Sequence, residues 1–581
     1  MNFSAIRHIP MSQDAHGIDP AHIVLRLRAG RNDLRRCTLF YGDRACRRTP
    51  VDFFSAPMEL EAWDQWFDYF QVILDSPFKR LCYYFELDDG KKTILYYGDF
   101  FSESLVDDRS EYYQLPFNHP GDITAPPGWA ADAVVYNIFP DSFADGRCSI
   151  SGEGAEKEWN GKKTRGRLGG TIRGIWENLD YITGLGINCI YLNPIFAAGE
   201  YHKYDLLDYY HVDPCFGTDE EFRGLVEACH EAGVRVIIDG VFNHVGWNFF
   251  AFEDVVQKGE ASPYKDWFYG LQFPVVRPKD PEEYPSYECF GYERMMPKTN
   301  TRNRETAEYF CNVGRYWVRE FRIDGWRLDV ASEIDDGFWR DFRRAVREEA
   351  PDCLLIGEVW ESAGHWINEN IFDSTMNYDF RKHCRRFFAE ASIDAAEFDG
   401  RVTNMRMRYK LNALYAQLNV LDSHDVSRFY SLCGENSDIM ELAVLFQMTF
   451  MGIPSIFYGD EAGLCGILEE EYRRPMDWRD QPGGLRDFYK KAISLRRRYS
   501  ALRRGGWHTL LARPGQGLYG YCREDERECI AVFLNNQYRE ASISGDLARG
   551  EILWEKGWGG EALEPMGFLV VRKENSGEDS A

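Results

Sequence analysis

The stretch "FRIDGWRLDVASEID" (Phe321–Asp335) carries an apolar, strand-like run into charged residues, with a helix expected to follow. Residues two apart in a strand point to the same side. Arg327 and Asp329 are therefore expected to face one space together. A structural ion pair and a reaction site are both compatible with this pair, so the rest of the chain has to decide between them.

Seven more strand candidates accompany this run, and helical segments separate several of them. They read "AVVYNIFP", "CIYLNPI", "RVIIDGVFNH", "CLLIGEVW", "IFDSTMNY", "LNVLDSH" and "IPSIFYGDE". Most are apolar throughout, which is typical of parallel strands covered on both faces. Eight β-α units over this length indicate an α/β fold of the (β/α)8 TIM-barrel type rather than an open doubly wound sheet. A GxGxxG motif does not follow the first strand, which argues against a dinucleotide fold.

Two helices between these strands can be placed from the sequence. A helix beginning near Thr171 would put Ile172, Ile175, Leu179 and Ile182 on one face. Thr218 and Glu221 have the spacing of a capping box that opens a second helix.

Short β-type runs separated by turn residues precede and follow the barrel segment. They include "HIVLRLRAG", "DLRRCTLFYGD", "WFDYFQVIL", "RLCYYFELDDG" and "KTILYYGDF" before it, and "GLYGYCRE", "CIAVFLNN" and "GFLVVRK" after it. We expect an N-terminal β-sandwich over residues 1–122, a barrel over 123–505 and a C-terminal all-β sandwich domain over 506–581. Residues 245–300 are too many for an ordinary loop and predict an inserted subdomain B.

Composition excludes several classes of partner. The 581 residues include 68 Lys+Arg and 93 Asp+Glu, a net charge of −25 that repels nucleic acid and anionic membranes. We find no apolar span long enough for a bilayer and no secretory leader. The 15 cysteines are odd in number and form no CxxC pair, which favours free thiols in a reducing cytosol over disulfides or a zinc site. The sequence predicts a soluble cytoplasmic protein.

Charged and polar residues collect at the ends of the predicted barrel strands, where barrel enzymes place their chemistry. In chain order they are Asp239, Asn243, His244, Arg327, Asp329, Glu358, His424 and Asp425. Singly, Asp239 could cap a helix, Glu358 could pair with Arg327, and either histidine could be a hydrogen-bonded core residue. Jointly these readings weaken, because one arginine cannot neutralise several buried acids.

Paired carboxylates with a third nearby are the arrangement used in glycoside hydrolysis. One acid must stay ionised as nucleophile, and charge pairing with Arg327 is expected to lower the pKa of Asp329. The other must begin protonated; Glu358 ends the apolar run "LLIGEVW", and burial with like charges nearby would raise its pKa. Metal-assisted hydrolysis is the rival reading, but the chain has no HExxH motif and no close histidine pair.

Four segments, "DGVFNH", "GWRLDVASE", "IGEVW" and "VLDSHD", resemble the four signature regions of glycoside hydrolase family 13, the α-amylase family, in the family's order. "YNIFPDSFADG", "GINCIYLNPIF", "HKYDLLDYYHVDPCFGT" and "GIPSIFYGDEAG" are similar to its flanking segments. "MMPKTN" (Met295–Asn300) is similar to a motif of the neopullulanase, cyclomaltodextrinase and maltogenic amylase subfamily. The resemblance covers most of the chain, including the leading β-domain, which looks like that subfamily's starch-binding-type module.

The resemblance implies a role for each matching residue. Asp329 would be the nucleophile, Glu358 the general acid/base and Asp425 the acid that holds sugar hydroxyls. Arg327 would orient Asp329, and Trp360 would be an acceptor-side stacking platform. The residues expected to bind glucose beside the cleaved bond are His202, Tyr204, His244, His424 and Arg473, and Glu469 is also expected to bind substrate.

The chain departs from the subfamily at several positions. The calcium loop, rich in Asn and Asp in the subfamily, reads "DGRCSISGEGAEKEW" here, and Thr171 replaces an Asp, so no calcium and no other cofactor is expected. Glu361 stands where His is usual after Trp360, and Glu469 stands where Asp is usual before "RRPM". Ser332 replaces the Asn of the subfamily's "VANE", and these exchanges bear on acceptor or substrate preference.

The implied function is retaining hydrolysis of α-1,4 bonds in cyclomaltodextrins, maltooligosaccharides and pullulan, with possible transglycosylation. The alternatives are an enzyme acting mainly as a transglycosylase or α-1,6-glucosidase, and a non-catalytic binding homologue. The partners implied are α-glucan oligosaccharides, cyclodextrins and a second copy of the chain, since the leading β-domain makes a homodimer in the resembled subfamily.

Overall fold

The computed structural model describes residues 1–145, 157–159, 162–164, 166–280, 283–478 and 484–573. The chain divides into two compact units. One holds residues 1–125, 391–415 and 500–581, and the other holds residues 126–390 and 416–499. The predicted division into three domains, with boundaries at 122/123 and 505/506, stays a prediction, since the two compact units have different boundaries.

The N-terminal segment forms one antiparallel sheet of nine strands. The strands follow the spatial order β1-β2-β5-β4-β3-β6-β7-β8, and β9 pairs with β6. Their bounds are β1 Ala15–Gly17, β2 His22–Gly30, β3 Arg36–Asp43, β4 Phe54–Trp63, β5 Phe67–Asp75, β6 Leu81–Asp88, β7 Thr93–Tyr96, β8 Phe101–Ser102 and β9 Tyr113–Leu115. Residues such as Leu25, Leu39 and Phe85 build its apolar core. The five runs predicted there are all strands.

Strand β4 was not predicted. It contains Pro57 and two glutamates, and half of its side chains are exposed. The alternation that marks a half-buried strand is therefore weak, although β4 pairs with both β3 and β5.

The eight predicted parallel strands close into a barrel, as expected. An antiparallel hairpin, β11 Lys157–Trp159 with β12 Lys162–Thr164, lies between the first two barrel strands in sequence. The barrel strands are β10 Val135–Ile138, β13 Cys189–Leu192, β14 Arg235–Gly240, β15 Gly325–Leu328, β16 Leu354–Gly357, β17 Ser374–Asn377, β18 Leu418–Val420 and β19 Ile453–Phe457. Side chains including Val135, Ile237, Ile356 and Leu418 pack together in one buried cluster.

The opening run is shorter as a strand than its sequence suggested. The helix before it continues to Phe321, and Arg322 ends that helix with φ 59° and ψ 36° in the left-handed conformation. The strand begins only at Gly325, so Phe321–Asp324 are not part of it. The helical pattern of the preceding segment therefore extends into the first residue of this run, although the run itself is apolar and strand-like.

Sixteen α-helices lie within the described residues. They are α1 Pro140–Phe143, α2 Ile172–Glu177, α3 Leu179–Gly184, α4 Asp219–Glu231, α5 Phe250–Lys258, α6 Arg304–Phe321, α7 Asp336–Glu349, α8 Tyr378–Cys384, α9 Ala395–Met407, α10 Leu411–Leu414, α11 Phe429–Leu432, α12 Ser437–Thr449, α13 Glu469–Tyr472, α14 Leu485–Arg498, α15 Ser500–Arg504 and α16 Gly545–Ala548. None of these has the length and apolar character needed to cross a membrane.

The two helices placed from the sequence are present with one difference. The helix expected from Thr171 is broken at Asn178 into α2 and α3, while its four apolar residues are buried as predicted. Thr218 and Glu221 form the predicted capping box at the start of α4.

Residues 245–300, between β14 and α6, form no barrel strand. They contain α5 and two short 3-10 turns, Gly259–Ala261 and Lys265–Trp267. The backbone returns to the barrel side through an antiparallel bridge between His244 and Lys298.

The C-terminal segment is a six-stranded antiparallel sheet. Its strands are β20 Gly506–Ala512, β21 Leu518–Glu524, β22 Cys529–Asn535, β23 Ala541–Ser542, β24 Glu551–Trp558 and β25 Ala562–Lys573. Three of them match the runs predicted from the sequence. The polar tail after Lys573 lies outside the described residues.

Candidate active site

Strand register brings the charged residues to one end of the barrel. Asp239 of β14 pairs with Arg327 of β15, which pairs with Ile356 of β16. Ile237 and Ile356 belong to the barrel's inner apolar cluster. Residues two further along a strand point to the same side. Asp239 and Glu358 therefore also point into the barrel, beyond the apolar layer formed by Ile237 and Ile356.

Arg327 is fully buried and contacts four carboxylates. Its Nη1 lies 3.0 and 3.2 Å from the two oxygens of Asp239 and 2.8 Å from Oδ1 of Asp329. Its Nη2 lies 2.8 Å from Oε1 of Glu358 and 3.8 Å from Oδ2 of Asp425. The pair in the opening stretch is thus part of a larger ion cluster in which acids outnumber the cation.

The carboxylate oxygens of Asp239 accept hydrogen bonds from other groups of the protein. The hydroxyls of Tyr191 and Tyr204 donate to its Oδ2 at 2.6 and 2.9 Å, and Arg327 donates to both oxygens. Its side chain is fully buried. Asp239 is therefore a structural anchor for Arg327 rather than a helix cap, and the other three acids remain for chemistry.

Glu358 is held by donors from two directions. The backbone N–H of Val330 donates to its Oε2 at 2.9 Å, and the Trp360 indole donates to its Oε1 at 3.2 Å. Val330 has φ 44° and ψ 44°, a left-handed conformation that β-branched residues rarely adopt. That turn directly after Asp329 aims the Val330 amide at Glu358, so the backbone couples the two acids.

Burial governs the protonation of the central pair. It raises the pKa of Asp329 well above its usual range, the charge of Glu358 adds to this, and Arg327 opposes it. The expected lowering by Arg327 is therefore present but outweighed. Burial also raises the pKa of Glu358, in the predicted direction, against Arg327 and with Asp425 adding. Two adjacent acids that both resist ionisation readily hold one proton between them. One acid can then be the ionised nucleophile while the other is the protonated general acid.

Asp425 stays ionised beside them. Burial opposes its ionisation, but His424, Arg327 and Arg473 outweigh burial and hold the pKa of Asp425 below its usual range. His424 Nε2 lies 3.0 Å from its Oδ2, and Arg473 Nη2 lies 3.5 Å from its Oδ1. The side-chain amide of Asn193 lies 2.9 Å from Nδ1 of His424. Donation by this amide leaves Nε2 as the protonated nitrogen that faces Asp425.

Aromatic rings order the remaining predicted binding residues. Tyr204 stacks on His424 with ring centroids 5.5 Å apart, and its N–H donates to Nδ1 of His202 at 3.1 Å. His244 stacks on Phe290 at 4.9 Å, and burial lowers the pKa of His244 to about 3, with Lys298 adding. His244 is therefore neutral at ordinary pH.

Arg473 and Glu469 lie together at the edge of the site. Arg473 donates from Nε to the carbonyl of His424 at 2.7 Å and from Nη1 to Glu469 at 2.5 Å. The Tyr201 hydroxyl also donates to Glu469 at 3.1 Å. Glu469, which replaces the usual Asp, thus still reaches Arg473.

A cavity of about 490 Å³ opens at this end of the barrel. The predicted site residues that line it are His202, Tyr204, His244, Asp329, Glu358, Trp360, Asp425, Glu469 and Arg473. Arg327 and His424 lie behind this lining and contact it through Asp329 and Asp425. The structure thus brings all eleven predicted residues to one place.

Several residues of the site were not found from the sequence. Tyr378 stacks under Trp360 with centroids 3.8 Å apart and planes 6° from parallel, so one face of the half-exposed indole is covered. Phe290, Glu293 and Met296 line the cavity from the irregular segment 245–300. No periodic pattern marks such residues, because their position depends on how the loop returns to the barrel.

Comparisons with known proteins agree with this architecture. The model of the α-amylase catalytic domain matches residues 137–484, and the model of the N-terminal Ig-like domain of α-amylases matches residues 1–119. The first match covers more than half of the chain and includes the whole candidate site.

Relatives match over nearly the whole length. Neopullulanase 2 of Thermoactinomyces vulgaris is 40% identical over 551 residues, covering 94% of this chain and 92% of the relative. The intracellular maltogenic amylase of Bacillus subtilis is 36% identical over 527 residues, covering 88% and 87%. A solved cyclomaltodextrinase structure superposes with a TM-score of 0.91 at 34% identity, covering 99% of this chain and 100% of that one. The chain is a glycoside hydrolase of the α-amylase family, in the subfamily of neopullulanases, cyclomaltodextrinases and maltogenic amylases.

Proposed function

We propose that this enzyme hydrolyses α-1,4-glucosidic bonds in cyclomaltodextrins, maltooligosaccharides and pullulan with retention of configuration. The observation that carries this is the convergence of Asp329, Glu358 and Asp425 on Arg327 in one cavity. The names of the relatives, which include neopullulanase and cyclomaltodextrinase, support this range of substrates.

The reaction would proceed in two steps on these carboxyls. Asp329 attacks the anomeric carbon while Glu358 passes its proton to the glycosidic oxygen, and the bond to the leaving sugar breaks. A glycosyl ester on Asp329 results. Water then attacks the same carbon, Glu358 takes a proton from that water, and Asp329 leaves as a carboxylate. Two inversions retain the configuration.

The surrounding residues would hold one glucose unit during these steps. Tyr204 would stack on the ring, and His202, His244 and His424 would donate to its hydroxyl groups. Asp425 would accept from sugar hydroxyls, because His424 and Arg473 keep it ionised. Arg473 and Glu469 would close the far edge of this subsite. Their clustering around the cavity supports these roles.

Replacing the nucleophile tests the assignment. Asp329→Asn keeps the side-chain shape but removes the attacking carboxylate, so we expect turnover of β-cyclodextrin and pullulan to fall by roughly 10⁴-fold or more. Asp341→Asn, which changes an exposed acid on α7, is the control and should retain the rate. Initial rates on β-cyclodextrin, pullulan, starch and maltotriose would also rank the substrates. Near wild-type turnover by the Asp329 variant would refute the proposal.

A specific observation favours transglycosylation as a second activity. The exposed face of Trp360 lies beside Glu358, while Tyr378 covers its other face. A flat apolar surface next to the acid/base favours a sugar acceptor over water at the second step. The same surface could accept the branched geometry of α-1,6 bonds, so the ratio of α-1,4 to α-1,6 cleavage belongs to this proposal.

Trp360→Ala should separate the two activities. Product analysis at high maltotriose concentration should show several-fold fewer transfer products per hydrolytic event, because the stacking surface is gone. Trp66→Ala, which removes an exposed indole from the turn between β4 and β5, serves as control. An unchanged product ratio in the Trp360 variant would show that acceptor choice does not depend on this indole.

We also propose that turnover needs neither calcium nor an organic cofactor. The acids complete both steps with water, and most of the segment that corresponds to the calcium loop (145–159) lies outside the described residues. Thr171, which replaces the usual Asp, accepts a hydrogen bond from the Gly174 amide at 2.9 Å and so caps α2. This hydroxyl does not fit a calcium ligand. Equal rates before and after chelation would support the proposal, and a loss restored by calcium would overturn it.

Finally, we propose a cytoplasmic homodimer. The name of the intracellular Bacillus subtilis relative supports the location, and the subfamily resemblance of the leading β-domain supports the assembly. Cell fractionation would test the first. Sedimentation that shows only monomer at full cyclodextrin activity would contradict the second.

A further inference from the structure

Three side chains with metal-binding chemistry meet on one face of the C-terminal sheet. Strands β21 and β22 are antiparallel, with Glu524 opposite Cys529 and Cys522 opposite Ala531. Arg523, between Cys522 and Glu524, points to the other face, where it donates to the carbonyls of Leu502, Gly505 and Gly506. Alternation therefore places Cys522, Glu524 and Cys529 together.

The three ligand atoms are close enough to share one ion. The two Sγ atoms and a carboxylate oxygen of Glu524 all lie within 4.8 Å of one another. Both cysteines are buried at the margin of the sheet's apolar cluster, whereas Glu524 is exposed. An ion between them would have two sulfur ligands inside, one oxygen at the rim and an open side toward water.

The register favours a bridging ion over a disulfide. Cys522 and Cys529 are diagonal rather than directly opposite, and the Cα atoms of diagonal pairs lie about 7–8 Å apart. Disulfides usually need about 4.4–6.8 Å between Cα atoms. Two thiolates on a tetrahedral zinc ion, with bonds of ~2.3 Å, lie about 3.8 Å apart. The 4.8 Å limit on the ligand atoms accommodates that spacing.

We propose that Cys522, Cys529 and Glu524 form a site for a thiophilic divalent cation such as Zn²⁺, with water as the fourth ligand. The ion would join β21 to β22 beside the turn that connects them. None of these three residues lines the catalytic cavity, and the inference does not depend on the proposed reaction. Sequence spacing could not show it, because no CxxC motif is present and the strand register alone brings the thiols together.

Both thiols have to lose a proton to bind an ion as thiolates. Binding at this site would therefore release protons and weaken as the pH falls.

Zinc titration of the full-length, metal-free enzyme under reducing conditions would test the proposal. Competition with a chromophoric chelator should show one equivalent bound by the wild type that Cys522→Ser and Cys529→Ser both lose. Cys46→Ser, which changes a half-buried thiol in the connection between β3 and β4, should keep that equivalent. The same equivalent should raise the unfolding temperature of the wild type but not of the two serine variants.

Two further measurements address the ligands where a serine variant folds poorly. Co²⁺ bound to the wild type should give the thiolate-to-cobalt absorption and the visible bands of a tetrahedral site. Glu524→Gln, a change at an exposed position, should weaken Zn²⁺ binding by about tenfold or more while the thiolate bands remain. Equal zinc stoichiometry and affinity in the wild type, both serine variants and Glu524→Gln would overturn the proposal, as would the absence of thiolate–cobalt absorption.

Discussion

At Arg327, one guanidinium contacts acids that must do different things. Asp239 is satisfied by tyrosine hydroxyls, Asp425 is kept ionised, and Asp329 and Glu358 resist ionisation because they are buried. Arg327 opposes the rise in the pKa of both central acids. The position of this one charge therefore sets the pH range in which one of the pair is protonated and the other is not.

Arg327→Lys should show that dependence. A lysine keeps a charge but cannot place two nitrogens on two carboxylates, so we expect kcat/KM to fall by roughly 10²–10³-fold. The alkaline limb of the pH profile should move to higher pH, because less positive charge at Glu358 raises its pKa further. The measurement is kcat/KM for maltotriose across pH.

A second buried arginine provides the control. Arg496 of α14 donates to the carbonyls of Met448 and Phe450 at 3.0 and 2.9 Å. Arg496→Lys should lower stability but leave the pH profile of the folded enzyme unchanged. If the profile of Arg327→Lys also kept its alkaline limb, Arg327 would be structural only.

The site residues that could be predicted from the sequence are those that lie at the ends of barrel strands. Asp329, Glu358 and Asp425 follow apolar runs, and strand ends meet at one mouth of a barrel, so their convergence follows from topology. Tyr378 and Phe290 were missed because their contacts depend on side-chain stacking and on an irregular loop. The direction of the pKa shift of Asp329 was also predicted wrongly, since residue spacing does not show how deeply a side chain is buried.

At the scale of elements, strand β15 depends on a glycine. A Cβ on Gly325 would lie 2.8 Å from the carbonyl oxygen of Leu354 and 3.1 Å from Cγ1 of Ile237. Both neighbours belong to strands that flank β15 in the barrel. Close backbone approach explains why the strand that carries Arg327 begins with this residue.

Gly325→Ala should therefore weaken the barrel. The added methyl group has to displace a strand backbone, so we expect the free energy of unfolding to fall by about 1–3 kcal/mol. Urea unfolding followed by circular dichroism would measure it. Gly184→Ala, at the end of α3 with no atom within 4 Å of the new Cβ, should have no such cost. Equal midpoints for the two variants would contradict this reading of β15.

Elements were predicted well where periodicity and burial agree. The eight barrel strands are buried on both faces, and α4 begins at the capping box that its sequence contains. Strand β4 was missed because its exposed side chains and Pro57 give no alternating pattern. The break at Asn178 was missed because the apolar face of the predicted helix continues across it.

At the scale of the whole molecule, buried acids make stability depend on pH. Burial raises the pKa of Asp205 from 3.8 to about 7, and the nearby charge of Glu200 adds to this. Because the folded-state pKa lies above the unfolded one, the folded chain binds the proton more tightly. The stability contributed by this proton is complete below about pH 4 and is lost as the pH rises to about 7.

Asp205→Asn should remove that dependence. The free energy of unfolding of the wild type, minus that of the variant, should fall between pH 4 and pH 7 and level off above it. Thermal unfolding in a pH series would measure this difference. Asp341→Asn should leave the wild-type pH dependence in place. A difference between wild type and Asp205→Asn that stays constant with pH would show that this carboxyl does not gain a proton on folding.

The contacts of Arg327 have a consequence for how activity arises. Its partners come from consecutive barrel strands: Asp239 lies near the end of β14, Met376 of β17 lies 3.3 Å from its Nε, Glu358 follows β16 and Asp425 follows β18. A fragment that lacks β14, β15, β16 or the residues after β18 does not hold the complete charge cluster. Turnover therefore reports the joining of these strands: during refolding, or when split halves of the chain are mixed, it should return only once all of them have assembled.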